Sequence, residues 1–282
     1  MRWTSRAWGR WSPVAKDIES GAIRRVGIVA NPKANDGYVE RLVKILHKHG
    51  VEISEVRSDD QPDGDADLDL VFVLGGDGTM LRASRIYPGK VLLGVNLGKV
   101  GFMSGMLPED LETGVEKMLG NGLEVQEYRM LDVRVDGEEP SLAANDAVLI
   151  KKRPEQLISV DVTIGGEELF AFRCDGFIAA TPLGSTAYAL SAGGPIISGD
   201  AGCYVLVPIA PHALVSRPLV LGVDQVARLE LVEREALLSL DGAEPREISG
   251  GECVEIRLAQ RSVRIGRTDG WSWWRAVRRT FL

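Results

Sequence analysis

The chain has 282 residues, 45% of them hydrophobic and 26% charged, and 33 basic against 40 acidic side chains give a formal net charge of −7. This composition suits a soluble globular enzyme at the upper size limit for one core, which favours two domains, and it gives no electrostatic case for nucleic acid or an anionic membrane as partner. Cys174, Cys203 and Cys253 lack metal-binding spacing and read as reduced thiols of a cytoplasmic protein, and no apolar run approaches the roughly 18 residues that span a bilayer.

Residues 1–22 read as an N-terminal extension in which Trp3, Trp8 and Trp11 stand among Arg2, Arg6, Arg10 and Lys16. Without an apolar core it is no secretory signal, and it is expected to pack on its own protein or to stay disordered. Residues 24–30 form the first buried strand, stopped by Asn31-Pro32. Tyr38, Leu42, Ile45 and Leu46 recur at helical spacing, Gly50 closes that helix, and residues 51–56 alternate as a second strand. An acidic connection with Asp60, Asp63, Asp65 and Asp67 reads as a solvated loop.

Val71-Phe72-Val73-Leu74 then runs into Gly75-Gly76-Asp77-Gly78-Thr79, and Met80, Leu81, Ala83, Ser84 and Ile86 follow with helical periodicity. A strand feeding a glycine turn that opens a helix aims unpaired N–H groups at the positive end of the helix dipole, which suits a phosphate. Two readings remain open at this point. The plain one is a tight turn whose glycines supply positive φ and whose Asp77 caps the helix. In the chemical one, Asp77 takes a proton or meets a metal ion, since a bare carboxylate would otherwise repel the phosphate. A dinucleotide fingerprint is excluded by Leu81, and no Gly-x4-Gly-Lys-Ser/Thr string occurs, which argues against a dehydrogenase and a P-loop enzyme.

Residues 91–95 make another buried strand, leading into Asn96-Leu97-Gly98-Lys99-Val100-Gly101-Phe102, and Pro108 with Glu109 and Asp110 opens a helix to Gly120. Alternating strands and helices predict an open, largely parallel α/β sheet over residues 23–121. From residue 122 to 262 short strands split by turns predict a β-rich, sandwich-like domain, with hairpin turns at Asp136-Gly137 and Gly165-Gly166. Residues 263–282 are expected to dock back on the α/β domain through Trp271, Trp273 and Trp274, which are costly to leave in water.

Inside the second half, Asp175 precedes a strand that ends in Thr181-Pro182-Leu183-Gly184-Ser185-Thr186-Ala187-Tyr188, with Gly193-Gly194-Pro195 beyond it. Small residues allow a flat ligand close to the backbone, while Ser185, Thr186 and Tyr188 offer hydroxyls and a ring. Ordinary crossover chemistry would also explain this run.

Together, Gly75-Gly76-Asp77-Gly78-Thr79, the 181–188 run and Ser191-Ala192-Gly193-Gly194-Pro195 resemble the NAD kinases. The resemblance takes in residues 96–102, Asn145-Asp146, Ala210-Pro211-His212-Ala213-Leu214 and Arg217-Pro218, and it covers the chain from about residue 24 onward. The glycine-aspartate motif alone is shared with lipid kinases and phosphofructokinases; the 181–188 run is the more specific mark and argues against a lipid or sugar kinase. A dinucleotide sensor without catalysis would have no need of Asp77. The resemblance implies that Asp77 deprotonates the 2′-hydroxyl of the adenosine ribose of NAD, and that ATP or another donor supplies the phosphoryl group. It also implies a divalent metal such as Mg²⁺, without direct protein ligands, and a homodimer or homotetramer with sites near subunit contacts. Gly76, Gly78, Thr79, Arg82, Asn145, Asp146, Asp175, Thr181, Ser185, Thr186, Ala187 and Tyr188 are the substrate-binding residues it implies. Asp146 stands where the family more often has glutamate. Asp241-Gly242 resembles a family turn but is equally a hairpin, His212 reads as a structural corner, and Lys151-Lys152-Arg153 as a solvated loop.

Overall fold

The structure is a computed structural model that describes residues 18–32, 37–59, 64, 67–97, 101–212, 217–267 and 271–281. The N-terminal tryptophans, Asp60, Asp63 and Asp65, residues 98–100, and Ala213 with Leu214 lie outside the described residues. The first half runs β1 (Arg25–Ala30), α1 (Tyr38–Lys48), β2 (Glu52–Arg57), β3 (Leu70–Gly75), α2 (Asp77–Ile86), β4 (Val91–Asn96), β5 (Ser104–Met106) and α3 (Leu111–Asn121). The second runs β6 (Glu124–Val135), β7 (Ser141–Ala143), β8 (Asp146–Lys151), β9 (Ile158–Ile164), β10 (Glu167–Cys174), β11 (Gly176–Ala180), α4 (Tyr188–Ser191), β12 (Cys203–Ile209), β13 (Leu219–Gly222), β14 (Ala227–Glu233), β15 (Glu235–Leu240), β16 (Arg246–Ser249), β17 (Cys253–Arg267) and α5 (Trp273–Phe281).

β2, β1, β3 and β4 pair in that order and all in parallel. Their side chains alternate between two buried faces. Val71 and Val73 meet α2 through Met80, Leu81 and Ile86, whereas Leu70, Phe72 and Leu74 share the other core with α1 and α3. That two-sided burial explains why β3 reads as an unbroken apolar run. The strand order reverses between β1 and β3, and the turn after β3 opens at that switch point, where open α/β sheets bind ligands.

The β-rich half is a sandwich. Its inner sheet (β13-β12-β11-β8-β15-β16) covers β10-β9-β14-β17 over a shared core that includes Leu149, Phe177 and Tyr204 from one side and Val160, Leu229 and Ile256 from the other. The division of sheets differs from the sequence expectation in one respect. β17 pairs β14 and β6 antiparallel and β4 in parallel, so a single 11-stranded sheet runs through both halves. Gly165 and Gly166 do turn a hairpin, with φ of 60° and 89°, and Asp136 and Gly137 do the same at 47° and 76°.

The C-terminal tryptophans divide. Trp273 is 7% exposed and packs on Phe102 (ring centroids 5.4 Å) and Tyr128 (6.2 Å), but Trp274 is 58% exposed. Of the cysteines, Cys174 and Cys253 are buried, Cys203 is half-buried, and all are free thiols.

Candidate active site

Asp77 is the first residue of α2, and the cap before it is Gly76, not Asp77. Gly76 has φ −103° and ψ −169°, and no positive φ occurs at Gly75, Gly76 or Gly78, so the left-handed turn of the plain reading is absent. A β-carbon at Gly75 would stand 2.3 Å from Thr79 Oγ1, which explains that glycine by packing; one at Gly76 or Gly78 would meet no described atom within 4 Å. No described side chain fills that floor at the helix start, where the Thr79 and Met80 amides donate to the Gly76 carbonyl (2.9 and 3.2 Å) and those of Asp77 and Gly78 are the first-turn amides left for a ligand. Thr79 is buried beneath it.

The carboxylate of Asp77 is held by the next loop. The Phe102 amide donates to Oδ2 at 2.9 Å and the Met103 amide to Oδ1 at 3.1 Å. Each oxygen keeps a further acceptor direction, which a substrate hydroxyl can use.

A second loop joins the same apolar cluster as the first. Met80 and Leu81 of α2, Phe102, Met103, Ala144 and Leu183 lie in one buried apolar cluster, so the Asp77 turn, the segment before β8 and the run after β11 are neighbours. Asp241, at φ 51° in the turn after β15, organises this second loop. Its carboxylate accepts the amides of Ala144 (2.8 Å), Asn145 (2.6 Å) and Asp146 (3.1 Å). Asp241-Gly242 is thus a hairpin turn whose carboxylate also fixes the backbone of Ala144, Asn145 and Asp146. Gly184 is forced by close approach, since a β-carbon there would stand 2.1 Å from the Asn145 carbonyl oxygen.

The hydroxyls expected to meet a ligand are engaged inside the loop. Thr181 is wholly buried and donates to the Ala144 carbonyl at 2.8 Å; Ser185, also wholly buried, donates to the Pro182 carbonyl at 2.6 Å and accepts from the Ile197 amide at 3.0 Å. Thr186, half-buried, donates to the Leu183 carbonyl at 2.9 Å. Ala187 and Tyr188 are exposed, leaving the tyrosine ring open to a ligand.

Electrostatics single out Asp146. It is 6% exposed, and burial together with the Asp241 charge pushes its carboxyl up to about 6, against a hydrogen bond from Asn145 Nδ2 at 3.4 Å. Asp241 is raised by burial too, opposed by its three backbone donors.

Other predicted residues lie elsewhere or act differently. Arg82 donates to the carbonyls of Ser58 (3.0 Å) and Ala30 (2.7 Å), tying α2 to the ends of β1 and β2. Asp175 precedes β11, whereas Thr181 follows it, so the whole strand lies between them, about 20 Å at roughly 3.3 Å per residue. There Asp175 pairs with Lys151 Nζ at 2.6 Å. Lys151 ends β8 and Lys152 pairs with Glu235 and Glu247, so this run is ion-paired and not a free solvated loop. His212 has an exposed side chain, and its amide donates to the Arg173 carbonyl at 2.7 Å.

Residues 53–122 match the ATP-NAD kinase N-terminal domain and residues 144–268 the ATP-NAD kinase C-terminal domain. An NAD kinase of Leifsonia xyli is 42% identical over 211 residues, 72% of this chain and 69% of that protein. An NAD kinase of Syntrophotalea carbinolica is 34% identical over 277 residues, 91% of this chain and 97% of that one. Among solved structures, an NAD kinase from Archaeoglobus fulgidus in complex with ATP aligns with a TM-score of 0.77 at 28% identity, over 91% of this chain and 97% of that one. Yeast NADH kinase complexed with NADH shares the fold, with a TM-score of 0.81 at 23% identity over 92% of this chain and 87% of that one.

Proposed function

The chain belongs to the ATP-NAD kinase family, and from that premise we propose that Asp77 is the general base of its reaction. The enzyme phosphorylates NAD with ATP as donor. In the proposed step the adenosine 2′-hydroxyl gives its proton to Asp77 as its oxygen bonds to the terminal phosphorus of ATP; the bond to the leaving oxygen breaks, giving NADP and ADP. The observation that carries this reading is the clamp of Phe102 and Met103 amides on a carboxylate that stands beside an uncovered glycine floor. Held so, Asp77 meets the hydroxyl without a cost in side-chain ordering at the moment of reaction.

Gly76, Gly78 and the first amides of α2 would receive phosphate, with Thr79 beneath them and Arg82 fixing the helix on which they stand. Asn145 and Asp146 would bind the dinucleotide from the second loop, Asp146 as a buried acceptor for hydroxyl donors. Thr181, Ser185 and Thr186 would give that loop its shape, and Ala187 and Tyr188 would present an open surface to a flat ring system. Asp175 would meet the same ligand only from a second copy of the chain, which accords with the homodimer or homotetramer that the resemblance implies.

The donor set fits a hard divalent cation such as Mg²⁺ carried on ATP. Among the described residues no group of three or more His, Cys, Asp or Glu side chains could cage a metal, so phosphate oxygens would hold it. Bound there, the cation would neutralise charge on the transferring group. We also assign the enzyme to the cytoplasm, in keeping with three free thiols; among the described residues no helix is long and apolar enough to cross a membrane.

The test is Asp77→Asn. Loss of about 10²–10⁴-fold in turnover with NAD binding still measurable by calorimetry is expected, and near-normal production of NADP would sink the assignment.

A further inference from the structure

Arg267 ends β17, and it is the largest of the fully buried side chains, 2% exposed. A buried guanidinium ordinarily needs a carboxylate partner. Among the described residues none stands within ion-pair distance of it. Its donors go to neutral acceptors instead: Nη1 to the carbonyls of Phe102 (3.1 Å) and Met103 (3.2 Å), Nη2 to Tyr128 Oη (2.8 Å), and Nε to Gln126 Oε1 (3.3 Å). The Trp271 ring lies 3.6 Å from Cζ and covers the cation's face. Burial lowers its pKa, and the charges of Asp77 and Glu124 are among the influences that oppose this.

The two residues whose carbonyls accept from Arg267 are the two whose amides hold Asp77. The carbonyl of Phe102 and the amide of Met103 belong to one peptide unit, so a single rigid plane accepts from the cation at one end and donates to Asp77 Oδ1 at the other. Hydrogen bonds in series of this kind polarise one another. Among the described residues the cation has no closer work: it forms no ion pair and hydrogen-bonds to no predicted substrate residue.

We propose that Arg267 is a positioning residue for Asp77, acting through the Phe102–Met103 peptide to hold both carboxylate oxygens in the orientation that receives the substrate proton. The inference rests on the reading of Asp77 as base. It names a cation on the last strand of the sheet as part of the machinery of a turn 190 residues earlier.

The experiment compares Arg267→Met, which keeps an unbranched chain against Trp271 but leaves two carbonyls without a donor, with Arg267→Lys and Arg267→Ala. A fall in kcat of about 10–100-fold, the usual cost of losing an outer-shell partner, is expected for Arg267→Met, with KM for NAD within about twofold. Arg267→Lys is expected to fall between it and the parent. Arg267 borders a cavity of about 400 Å³ between α3 and α5, through which a small cation can enter. Added guanidinium is therefore expected to restore kcat of Arg267→Ala by about tenfold or more, where equal sodium chloride does not. In an Asp77→Asn background, Arg267→Met is expected to lower residual turnover no further, since residues acting as one unit are not additive.

Unchanged kcat in Arg267→Met, a loss confined to KM and thermal stability, additive losses in the double variant, or failure of all three variants to fold would each overturn the inference. Near-normal turnover of Asp77→Asn would instead overturn the reading on which it rests.

Discussion

The backbone of Gly101 passes so close to Asp77 that a β-carbon there would stand 2.2 Å from Oδ1 and 2.5 Å from Cγ. Glycine at this position serves the carboxylate, not the turn, because no positive φ is required of it. Gly101→Ala is expected to push the Asp77 side chain out of its clamp. Displacement of a reacting group by about 1 Å costs on the order of 10²-fold in rate. Turnover should fall by that order while the melting temperature stays within a few degrees, as steady-state kinetics and calorimetry would reveal.

Asp241 is the acceptor on which three consecutive amides converge. Asp241→Asn would turn N–H donors of its own toward at least one of them. With hydrogen bonds to charged groups contributing about 1.5–3 kcal/mol each, a loss of roughly 3 kcal/mol in unfolding free energy is expected. Denaturant titration measures it, and KM for NAD should rise in parallel because Asn145 and Asp146 ride on those amides.

Asp146 makes stability depend on pH in the direction opposite to an ion-paired carboxylate. Its carboxyl lies at about 6 against an ordinary 3.8, so the folded state holds its proton more tightly than the unfolded chain. Its contribution is therefore full below about pH 4 and is lost as pH rises through about 6. Asp146→Asn, which cannot ionise, should stabilise the protein at pH 8 by roughly 2–3 kcal/mol, and that gain should vanish by pH 4. Chemical denaturation at the two pH values gives the comparison.

The two neighbouring tryptophans of α5 should behave unlike one another. Trp273→Ala removes a buried ring from contact with Phe102 and Tyr128 and is expected to cost about 3–5 kcal/mol. Trp274→Ala, at a site 58% exposed, is expected to stay within about 0.5 kcal/mol. Thermal melts of the pair would distinguish them.

What sequence reading recovers here follows from how local each cause is. β3 announces itself because five buried apolar residues on a parallel strand need no partner to be recognised. The Asp77 turn is legible for the same reason: its glycines and its acid are adjacent. β13 and β16 carry little signal in the sequence because each buries only one residue, Leu221 and Ile248 respectively. The full length of β17 is hidden in the sequence because Ala259 to Ser262, at its register shift, interrupts the alternation. Arg267 carries no local sign at all, since its partners Phe102, Tyr128 and Gln126 are 165, 139 and 141 residues away. Thr181 and Ser185 were recognisable as a motif, yet their hydroxyls turned inward, because a loop that wraps Asn145 so tightly leaves no water to satisfy its own carbonyls.

The placement of β17 also dictates the order in which the chain can mature on the ribosome. Without residues 253–267 the long sheet falls into separate pieces, with β14 left as an open edge, β4 held only by β3 and the short β5, and β6 without its long partner. Open edges invite pairing with other chains, and contacts between residues so distant in sequence form late. The β-rich half, whose core includes Val254, Ile256 and Leu258, can therefore not be finished cotranslationally before β17 emerges, whereas the core over α1 and α3 is built from residues 23–125 alone. Stalled nascent chains ending at residue 252 should stay susceptible to protease throughout the β-rich half, and that half should become resistant once residue 267 has been released.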